Sequence, residues 1–380
     1  MHKRILILYT SIGLGHKYIA LNMDHHLERA GYQVRLYDVL ELQKGIMVNI
    51  GEWFHSLVNR RFPFVWRWLY LSKSFAALTL PFRVPLASRN YHKVKHVIDE
   101  FDPHLVISTQ TTASAIMSYL KQRGLYQGKF AIAFSDYHLH RYWLYDAADM
   151  YLANIPEQAA EMKQLGVKQP IEICGITLPA LLPLEPSEVK QKLQLPTDKK
   201  IILMSSGSLG IGFPPALLQR FIRQLISVNH DVHMVMVCGK NEALKQELVN
   251  AALPATTVLG FYQPMSDLYQ VTDLFLTKPG GLTTAEALQA GVPMQITHWL
   301  PGQEELNYNY LTKQGLVYPV PDQLSTKSLI DTVQTRLSLP KQEPGGAAAV
   351  ITQKNHEGKV LLKAIEKLFH GAFDEGGAIS

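Results

Sequence analysis

The chain has 380 residues. A single hydrophobic core rarely supports a chain of this length, so we expect two domains. Hydrophobic residues make up 47% of the sequence and charged residues 18%, which is enough apolar material for large cores. The formal net charge is only +5, so free nucleic acid is not an expected partner.

The cysteine pattern and the N-terminus both indicate a cytoplasmic protein. Cys174 and Cys238 lie far apart in apolar runs without metal-ligand spacing, which is typical of buried thiols in a reducing compartment. Residues 1–10 are interrupted too early for a signal peptide and are interpreted as a first strand. No apolar run approaches the roughly 18–20 residues that span a bilayer, so any membrane association is expected to be peripheral.

The chain opens with a pattern that predicts a doubly wound α/β domain. Residues 4–9 form a continuous apolar run, as in a buried parallel strand. A glycine loop at residues 11–16 follows, then a helix ending near Gly31 and a second strand at residues 34–38. Strand, glycine loop, helix and strand in this order are the first unit of such a domain.

His16 is the residue of chemical interest in this first loop. Gly13 and Gly15 precede it, but Tyr18 stands where a dinucleotide fingerprint has its third glycine, although Asp38 is suitably spaced for a ribose contact. The dinucleotide interpretation is therefore the weaker one. A neutral imidazole at a helix start, where the positive helix end lowers its pKa, suits proton abstraction from an alcohol. A capping or packing role for His16 is the alternative.

Residues 53–98 have an unusual composition, with eight basic residues and no Asp or Glu. This segment therefore carries +8, and the remainder of the chain −3. The basic residues are Arg60, Arg61, Arg67, Lys73, Arg83, Arg89, Lys93 and Lys95. Among the aromatic residues interleaved with them are Trp53, Phe54, Phe62, Phe64, Trp66, Trp68, Tyr70, Phe75 and Phe82. The pattern predicts contact with an anionic lipid surface, while single-stranded nucleic acid and ordinary packing are the alternatives.

Asp136 follows another predicted strand, at residues 130–134. A carboxylate at the carboxyl end of a parallel strand faces the crevice where such sheets bind ligands. Asp136 can orient an acceptor or support His16, and it can equally cap the next helix. His138 and His140 lie nearby, but the set lacks a fourth ligand at defined spacing, so no metal site is predicted.

The second half of the chain repeats the opening pattern after a proline-rich break at residues 178–196. A strand at residues 199–204 leads into a glycine loop that contains Gly207 and Ser208. No Lys-Ser or Lys-Thr ends this loop, so it is not a P-loop, but its amides and serines suit a phosphate. A later strand ends at Phe261 and Tyr262, for which ordinary packing at a strand end is the alternative.

Residues 274–305 contain the most informative pattern: a strand, Lys278-Pro279-Gly280-Gly281, a helix predicted over 283–291, and a strand at 294–296. A glycine pair before a helix start favours phosphate. The further polar residues in this region are Thr283, Thr284, Glu286, Gln303 and Glu304. The threonines add donors, and the remaining three can accept hydrogen bonds from sugar hydroxyls, so the region suits a sugar nucleotide. Alternatively, residues 283–286 form a capping box in which Glu286 only satisfies a backbone N–H.

The run KPGGLTTAEALQAGVPM followed by PGQEE resembles the donor-binding region of glycosyltransferase family 28. It is most similar to the diacylglycerol glucosyltransferase and monogalactosyldiacylglycerol synthase branch. The Gly-x-Gly-His loop also resembles the family's N-terminal motif, although Lys17 and Tyr18 replace its usual small residues. The resemblance implies the α/β GT-B fold, with two facing Rossmann-like domains and a C-terminal helix that crosses back to the first. The implied divisions are residues 1–178, 179–353 and 354–380.

The resemblance further implies an inverting enzyme that transfers a hexose, glucose in preference to galactose, from a UDP-sugar to diacylglycerol at the inner face of the cell membrane. His16 and Asp136 are then catalytic, and Gly13 and Gly15 form the acceptor loop. The implied donor-binding residues are Gly207, Ser208, Phe261, Tyr262, Gly280, Gly281, Thr283, Thr284, Glu286, Gln303 and Glu304. The predicted membrane residues are Trp53, Phe54, Arg60, Arg61, Phe64, Trp66, Arg67 and Trp68.

The expected partners are UDP-glucose or UDP-galactose, diacylglycerol and an anionic membrane surface, with no nucleic acid. No Asp-x-Asp occurs in the sequence, so no cofactor or metal is expected to be required. A family-28 enzyme with a polyprenyl-diphosphate acceptor and a non-catalytic UDP-sugar sensor are the alternatives.

Overall fold

The computed structural model describes residues 3–11, 14–40, 63–179, 185–210, 214–321, 325–338 and 358–371. The chain divides into two compact units, each built on its own parallel sheet. The first unit comprises Met1–Pro179, Pro301–Gln303 and Gln353–Ser380, and the second comprises Ala180–Leu300 and Glu304–Thr352.

The first unit contains a six-stranded parallel sheet among its described residues, in the order β2-β1-β3-β4-β5-β6. Its strands are β1 (Arg4–Tyr9), β2 (Gln33–Asp38), β3 (Leu105–Ser108), β4 (Lys129–Ala133), β5 (Met150–Ala153) and β6 (Ile171–Ile173). Side chains on both faces of the central strands are fully buried, as from Ile5 to Leu8 in β1. A sheet covered on both faces needs such continuous apolar runs, which is why these strands were predictable.

Helices cover both faces of this sheet, and in several of them the buried apolar residues recur at helical spacing. They are α1 (Gly15–Arg29), α2 (Pro63–Leu71), α3 (Lys73–Ala87), α4 (Tyr91–Phe101), α5 (Thr111–Gln122) and α6 (Pro156–Gln164). In α4, for example, Val94, Val97, Ile98 and Phe101 are buried, at positions i, i+3, i+4 and i+7. The sequence did not indicate the helical state of residues 63–87, where α3 contains two prolines.

The second unit has a five-stranded parallel sheet among its described residues, in the order β11-β10-β7-β8-β9. Its strands are β7 (Lys200–Ser205), β8 (Val232–Val237), β9 (Thr256–Leu259), β10 (Leu274–Thr277) and β11 (Met294–Ile296). Its helices are α7 (Pro186–Lys192), α8 (Pro215–Val228), α9 (Glu242–Asn250), α10 (Met265–Val271), α11 (Gly281–Gln289), α12 (Gln303–Lys313, whose first residue belongs to the first unit) and α13 (Thr326–Ser338).

The last helix, α14 (Lys359–His370), belongs to the first unit, which confirms that the C-terminal helix crosses back. Its buried residues Leu361, Ala364, Ile365 and Leu368 again follow helical spacing. The Lys367 ammonium donates to a Glu172 carboxylate oxygen at 2.8 Å, beside β6. Residues 354–357 of the predicted helix lie outside the described part of the chain.

Candidate active site

His16 lies at the topological switch point of the first sheet. The chain runs from β1 to β2 on one side and later places β3 on the other side of β1. Ligands of such sheets bind outside the carboxyl ends of the strands at this point. His16 is the second residue of α1, directly after β1, and the Thr109 hydroxyl that follows β3 donates to its carbonyl at 3.3 Å. The predicted position of His16 at a ligand crevice therefore has a topological basis.

The His16 imidazole is suited to act as a base. Burial lowers its pKa, and the carboxylate of Asp136 and the backbone contact with Thr109 act in the opposite direction. Its Nδ1 is buried without a hydrogen-bond partner among the described residues. The Trp143 ring lies 6.2 Å away, centroid to centroid. A neutral imidazole with an unused nitrogen can accept a proton from a bound hydroxyl.

Asp136 is held in place by a network of hydrogen bonds within the first unit. Its Oδ2 accepts from the Ser135 hydroxyl at 2.8 Å and from the Gln303 amide at 2.7 Å. Its backbone carbonyl accepts from the side-chain amides of Asn154 at 2.8 Å and Gln158 at 2.9 Å. The side chain is 8% exposed. The network fixes a carboxylate close enough to His16 to influence its pKa.

The alternative role of Asp136 as a helix cap is wrong. The next helical turn, Arg141–Trp143, is capped by His140, whose Nδ1 accepts from the Tyr142 N–H. His140 Nε2 then donates to the Tyr70 carbonyl at 3.1 Å, while the Tyr70 hydroxyl lies 3.0 Å from His138 Nε2. The two histidines thus connect the segment after β4 to the end of α2. Among the described residues, no three His, Cys, Asp or Glu side chains are grouped as a metal site would require.

In the acceptor loop, Gly15 is the first residue of α1, and a side chain built there would meet no atom within 4 Å. Gly13 lies outside the described residues. The role of this loop in acceptor binding stays a prediction.

The second sheet has its switch point between β7 and β10. From β7 the chain runs outwards through β8 to β9, and then returns to place β10 on the other side of β7. Two loops that the sequence predicted for phosphate leave the sheet here. One contains Gly207 and Ser208, and the other runs from Lys278 to Gly281. The fold therefore brings together two segments that are 70 residues apart in the sequence.

The helix after the second loop begins earlier than predicted. Gly280 is the N-cap of α11 and Gly281 its first residue, so the helix starts two residues before Thr283. Glu286 is then the sixth helical residue and not the third, and the capping-box alternative is wrong. The predicted end is confirmed, because Gly291 follows the helix with a φ of +67°.

The two threonines of α11 differ in their surroundings. Thr284 is fully buried, and its hydroxyl lies 2.8 Å from the Gly280 carbonyl, to which it donates. This hydroxyl is occupied within the helix, so its predicted function as a phosphate donor does not fit this structure. Thr283 is only partly buried and remains the candidate hydroxyl at the helix start.

Glu286 has an unusual protonation state for a glutamate. Burial raises the pKa of its carboxyl to about 8, and the neighbouring Tyr269 hydroxyl acts in the opposite direction. With this pKa the carboxyl is mostly protonated at pH 7. The predicted contact between Glu286 and a ribose stays a prediction.

The raised pKa predicts a specific pH dependence of stability. The pKa of Glu286 in the folded protein lies above the ordinary glutamate value. Its contribution to folding stability is therefore fully present below about pH 4.5 and is lost as the pH rises through about 8. Glu286→Gln is neutral at every pH. We expect the variant to gain several degrees in Tm over the parent at pH 8–9, and little near pH 5. Thermal melts from pH 5 to 9 check this, and a difference that does not change with pH would contradict it.

Glu304 and Lys278 form an ion pair in the second unit. The Lys278 ammonium lies 2.6 Å from Glu304 Oε1, and Glu304 Oε2 accepts from the Leu300 N–H at 2.9 Å. The Gln303 amide instead donates to Asp136. Gln303 and Glu304, which were both predicted to bind the hexose, therefore have different partners in the structure. Sequence reasoning missed Lys278 as a site residue, although it is the first residue of the quoted motif.

Phe261 and Tyr262 follow β9 in the second unit. Phe261 is 42% exposed, and the Lys240 ammonium lies 5.9 Å from its ring centroid. The Tyr262 hydroxyl donates to buried Asp267 at 3.0 Å, and Asp267 also accepts from the Lys192 ammonium at 2.8 Å. The Tyr262 ring is thereby fixed beside an exposed aromatic ring at this edge of the domain.

The described part of the predicted membrane segment exposes an apolar face. On α2, Phe64 is 74% exposed and Trp68, one turn later, 63%. On α3, residues Leu78, Phe82 and Leu86 are 59–68% exposed and lie at i, i+4 and i+8 on one side of the helix. We call these five side chains the apolar face. Exposed apolar side chains grouped on two successive helices are typical of an interaction surface.

Not every residue of the segment faces outwards. Trp66 is half-buried, with its ring centroid 6.2 Å from that of Tyr70, whereas Arg67 is exposed. Arg83 does not fit the predicted contact with anionic lipid. Its guanidinium lies 3.9 Å from the centroid of the Tyr145 ring and donates to the Arg141 and Leu144 carbonyls, so it anchors α3 to the domain. Four predicted membrane residues, Trp53, Phe54, Arg60 and Arg61, lie outside the described residues. None of the described helices is long and apolar enough to cross a membrane.

Comparison with protein families gives two adjacent matches. Residues 21–178 match the model of monogalactosyldiacylglycerol (MGDG) synthase, and residues 207–361 match the C-terminal domain of glycosyltransferase family 28. The processive diacylglycerol beta-glucosyltransferase of Bacillus subtilis (strain 168) is 26% identical over 328 residues, which cover 83% of this chain and 82% of that protein.

Solved structures resemble the whole chain. The kitacinnamycin glycotransferase aligns with a TM-score of 0.64 and 14% identity, covering 97% of this chain and 99% of that one. A putative UDP-N-acetylglucosamine 2-epimerase from Listeria monocytogenes aligns with a TM-score of 0.61 and 13% identity over 100% of both chains. The likeness confirms the predicted GT-B fold class. Because a transferase and an epimerase share this fold, the fold alone does not identify the reaction.

Proposed function

Because the chain belongs to glycosyltransferase family 28, in the branch of the diacylglycerol glucosyltransferases and monogalactosyldiacylglycerol synthases, we propose that it transfers a hexose from a UDP-sugar to diacylglycerol. The observation that carries the proposal is the partly buried His16 imidazole, whose Nδ1 is buried without a hydrogen-bond partner among the described residues, at the switch point of the first sheet. The activity named for the Bacillus subtilis relative favours glucose as the hexose.

In the proposed reaction, the free hydroxyl oxygen of diacylglycerol attacks the anomeric carbon of the sugar. A new carbon–oxygen bond forms there, and the bond from the anomeric carbon to the β-phosphate oxygen breaks with inversion. His16 accepts the hydroxyl proton, and the electron pair leaves on UDP. Asp136 holds a negative charge near the imidazole, which stabilises the imidazolium that forms.

The second domain is proposed to hold the UDP-sugar. Backbone amides of the Gly207 loop and of the α11 start, with the Thr283 hydroxyl, suit the diphosphate because they lie at a helix N-terminus and a switch point. Glu286 is proposed to contact the ribose, and Gln303 and Glu304 the hexose. No step in this scheme requires a metal ion.

The membrane is proposed to supply the acceptor. The apolar face of α2 and α3 suits the headgroup boundary of a bilayer, where aromatic side chains settle. The basic residues of the same segment favour anionic lipid, although Arg83 is engaged within the domain. Peripheral association with the inner face of the cell membrane follows from this proposal.

Turnover tests the proposed function directly. Purified protein is mixed with vesicles that contain diacylglycerol, and with UDP-glucose or UDP-galactose in parallel. We expect UDP release and a glycolipid product that depend on diacylglycerol, with UDP-glucose the faster donor. UDP release only with a polyprenyl-diphosphate acceptor would favour that alternative enzyme. Binding of UDP-glucose without turnover on either acceptor would favour the sensor.

A further inference from the structure

Lys278 occupies the switch point of the second sheet. It is the first residue after β10, and β10 pairs with β7 up to the register Thr277 with Ser205. The chain therefore leaves both strands at the same level, and the loop that contains Gly207 begins opposite Lys278. A side chain that crosses between these two loops stands where the topology places a ligand.

The Lys278 side chain does cross to the neighbouring loop. Gly207 has a φ of +78°, and a Cβ built on it would lie 3.0 Å from Lys278 Cε and 3.7 Å from Nζ. Glycine suits this position because the backbone is left-handed, and a side chain here would press on the end of the lysine. The ammonium group lies against the turn whose amides were predicted to hold phosphate.

Glu304 fixes the position of that ammonium group. Its Oε1 lies 2.6 Å from Lys278 Nζ, and its Oε2 accepts from the Leu300 N–H at 2.9 Å, so the carboxylate is held from both sides. The side chains of Lys278 and Glu304 are 20% and 13% exposed. Since an ammonium group has three donors, the contact with Glu304 leaves further N–H groups for a ligand.

We propose that Lys278 binds the diphosphate of UDP and stabilises the negative charge that develops on it as the hexose departs. Glu304 is then a positioning residue for Lys278, in addition to its proposed contact with the hexose. This inference rests on the proposed function, since it assigns the group that receives the leaving electron pair. The bond between the anomeric carbon and the β-phosphate oxygen breaks, and that oxygen accepts a hydrogen bond from the Lys278 ammonium. A preorganised cation at such an oxygen acts most strongly in the transition state.

Calorimetric binding of UDP and of uridine separates this role from others. Lys278→Met keeps most of the side-chain volume and removes the charge. We expect its affinity for UDP to fall roughly 10- to 100-fold, as for loss of a charged hydrogen bond, and its affinity for uridine to stay unchanged. Lys313→Met, at the exposed end of α12, is the matched control and should bind both ligands as the parent does.

Glu304 variants test the positioning role. Glu304→Gln keeps an acceptor for the ammonium group and should retain most of the UDP affinity, whereas Glu304→Ala should lose it. The double variant Lys278→Met/Glu304→Ala should bind UDP no more weakly than Lys278→Met alone, since both changes remove the same interaction. In turnover, kcat of Lys278→Met should fall further than its affinity for UDP-glucose.

The outcomes distinguish this inference from the proposed function. If the parent protein binds no UDP, the proposed function fails, and this inference with it. If the parent binds UDP and Lys278→Met binds it equally well, only the assignment of Lys278 is wrong. Equal losses for UDP and uridine would show a structural role and would also overturn it. Lys278→Arg, which retains the charge, guards against a folding defect of the methionine variant, because it should keep much of the UDP affinity.

Discussion

Replacing His16 by alanine is expected to lower kcat for hexose transfer by about 100-fold or more and to leave UDP affinity nearly unchanged. The imidazole is the proposed proton acceptor, with its Nδ1 buried and without a hydrogen-bond partner among the described residues. The UDP-binding loops belong to the other unit, so the loss should be confined to turnover. Initial rates on diacylglycerol vesicles and calorimetry with UDP check the two halves of the expectation.

The pH profile gives His16 a signature that a packing residue lacks. Because burial lowers its pKa, the imidazole stays an active base to lower pH than an ordinary histidine. Asp136 raises that pKa, so Asp136→Asn should move the acid limb of kcat/KM further towards low pH. A limb that stays in place, or a His16→Ala variant that loses UDP affinity along with turnover, would remove His16 from the proposed role.

Loss of the apolar face is expected to have the second large effect, on membrane binding. Trp68→Ser combined with Phe82→Ser removes two aromatic side chains that are 63% and 59% exposed. Since burying one such side chain is worth roughly 1.5–3 kcal/mol in full, and only part of it is buried at an interface, we expect vesicle affinity to fall about 10- to 100-fold. Cosedimentation with vesicles that contain anionic lipid measures this.

Exposed apolar residues outside the face provide the control. Val228→Ser combined with Val249→Ser changes side chains that are 56% and 49% exposed at the ends of α8 and α9. These variants should bind vesicles as the parent does. Added salt should weaken binding of the parent to anionic vesicles, because the basic residues contribute. If both double variants bind equally well, the apolar face is not the membrane contact.

Local signals explain which elements could be predicted. The strands Arg4–Tyr9 and Met294–Ile296 have the predicted bounds, because a sheet buried on both faces requires short apolar runs that end at polar segments. The helices of residues 63–87 gave no such signal, since their apolar residues face both the domain and the surface. The start of α11 was misplaced because glycine and threonine are N-caps of similar strength, so capping preference did not decide between Gly280 and Thr283.

Local sequence patterns predicted the two α/β domains, the glycine loops, the candidate base His16 and the family-28 motif, because each rests on residues close together in the chain. The contacts of each polar side chain, in contrast, depend on how the chain folds. In the folded protein the Thr284 hydroxyl donates to the Gly280 carbonyl. The Arg83 guanidinium lies over the Tyr145 ring, and Glu304 pairs with Lys278. The last two pairs are 62 and 26 residues apart in the chain, and strand order and helix packing bring their members together. No local sequence pattern encodes such contacts. Burial decided protonation for the same reason: the desolvation that shifts the pKa values of His16 and Glu286 exists only once the domains have folded around them.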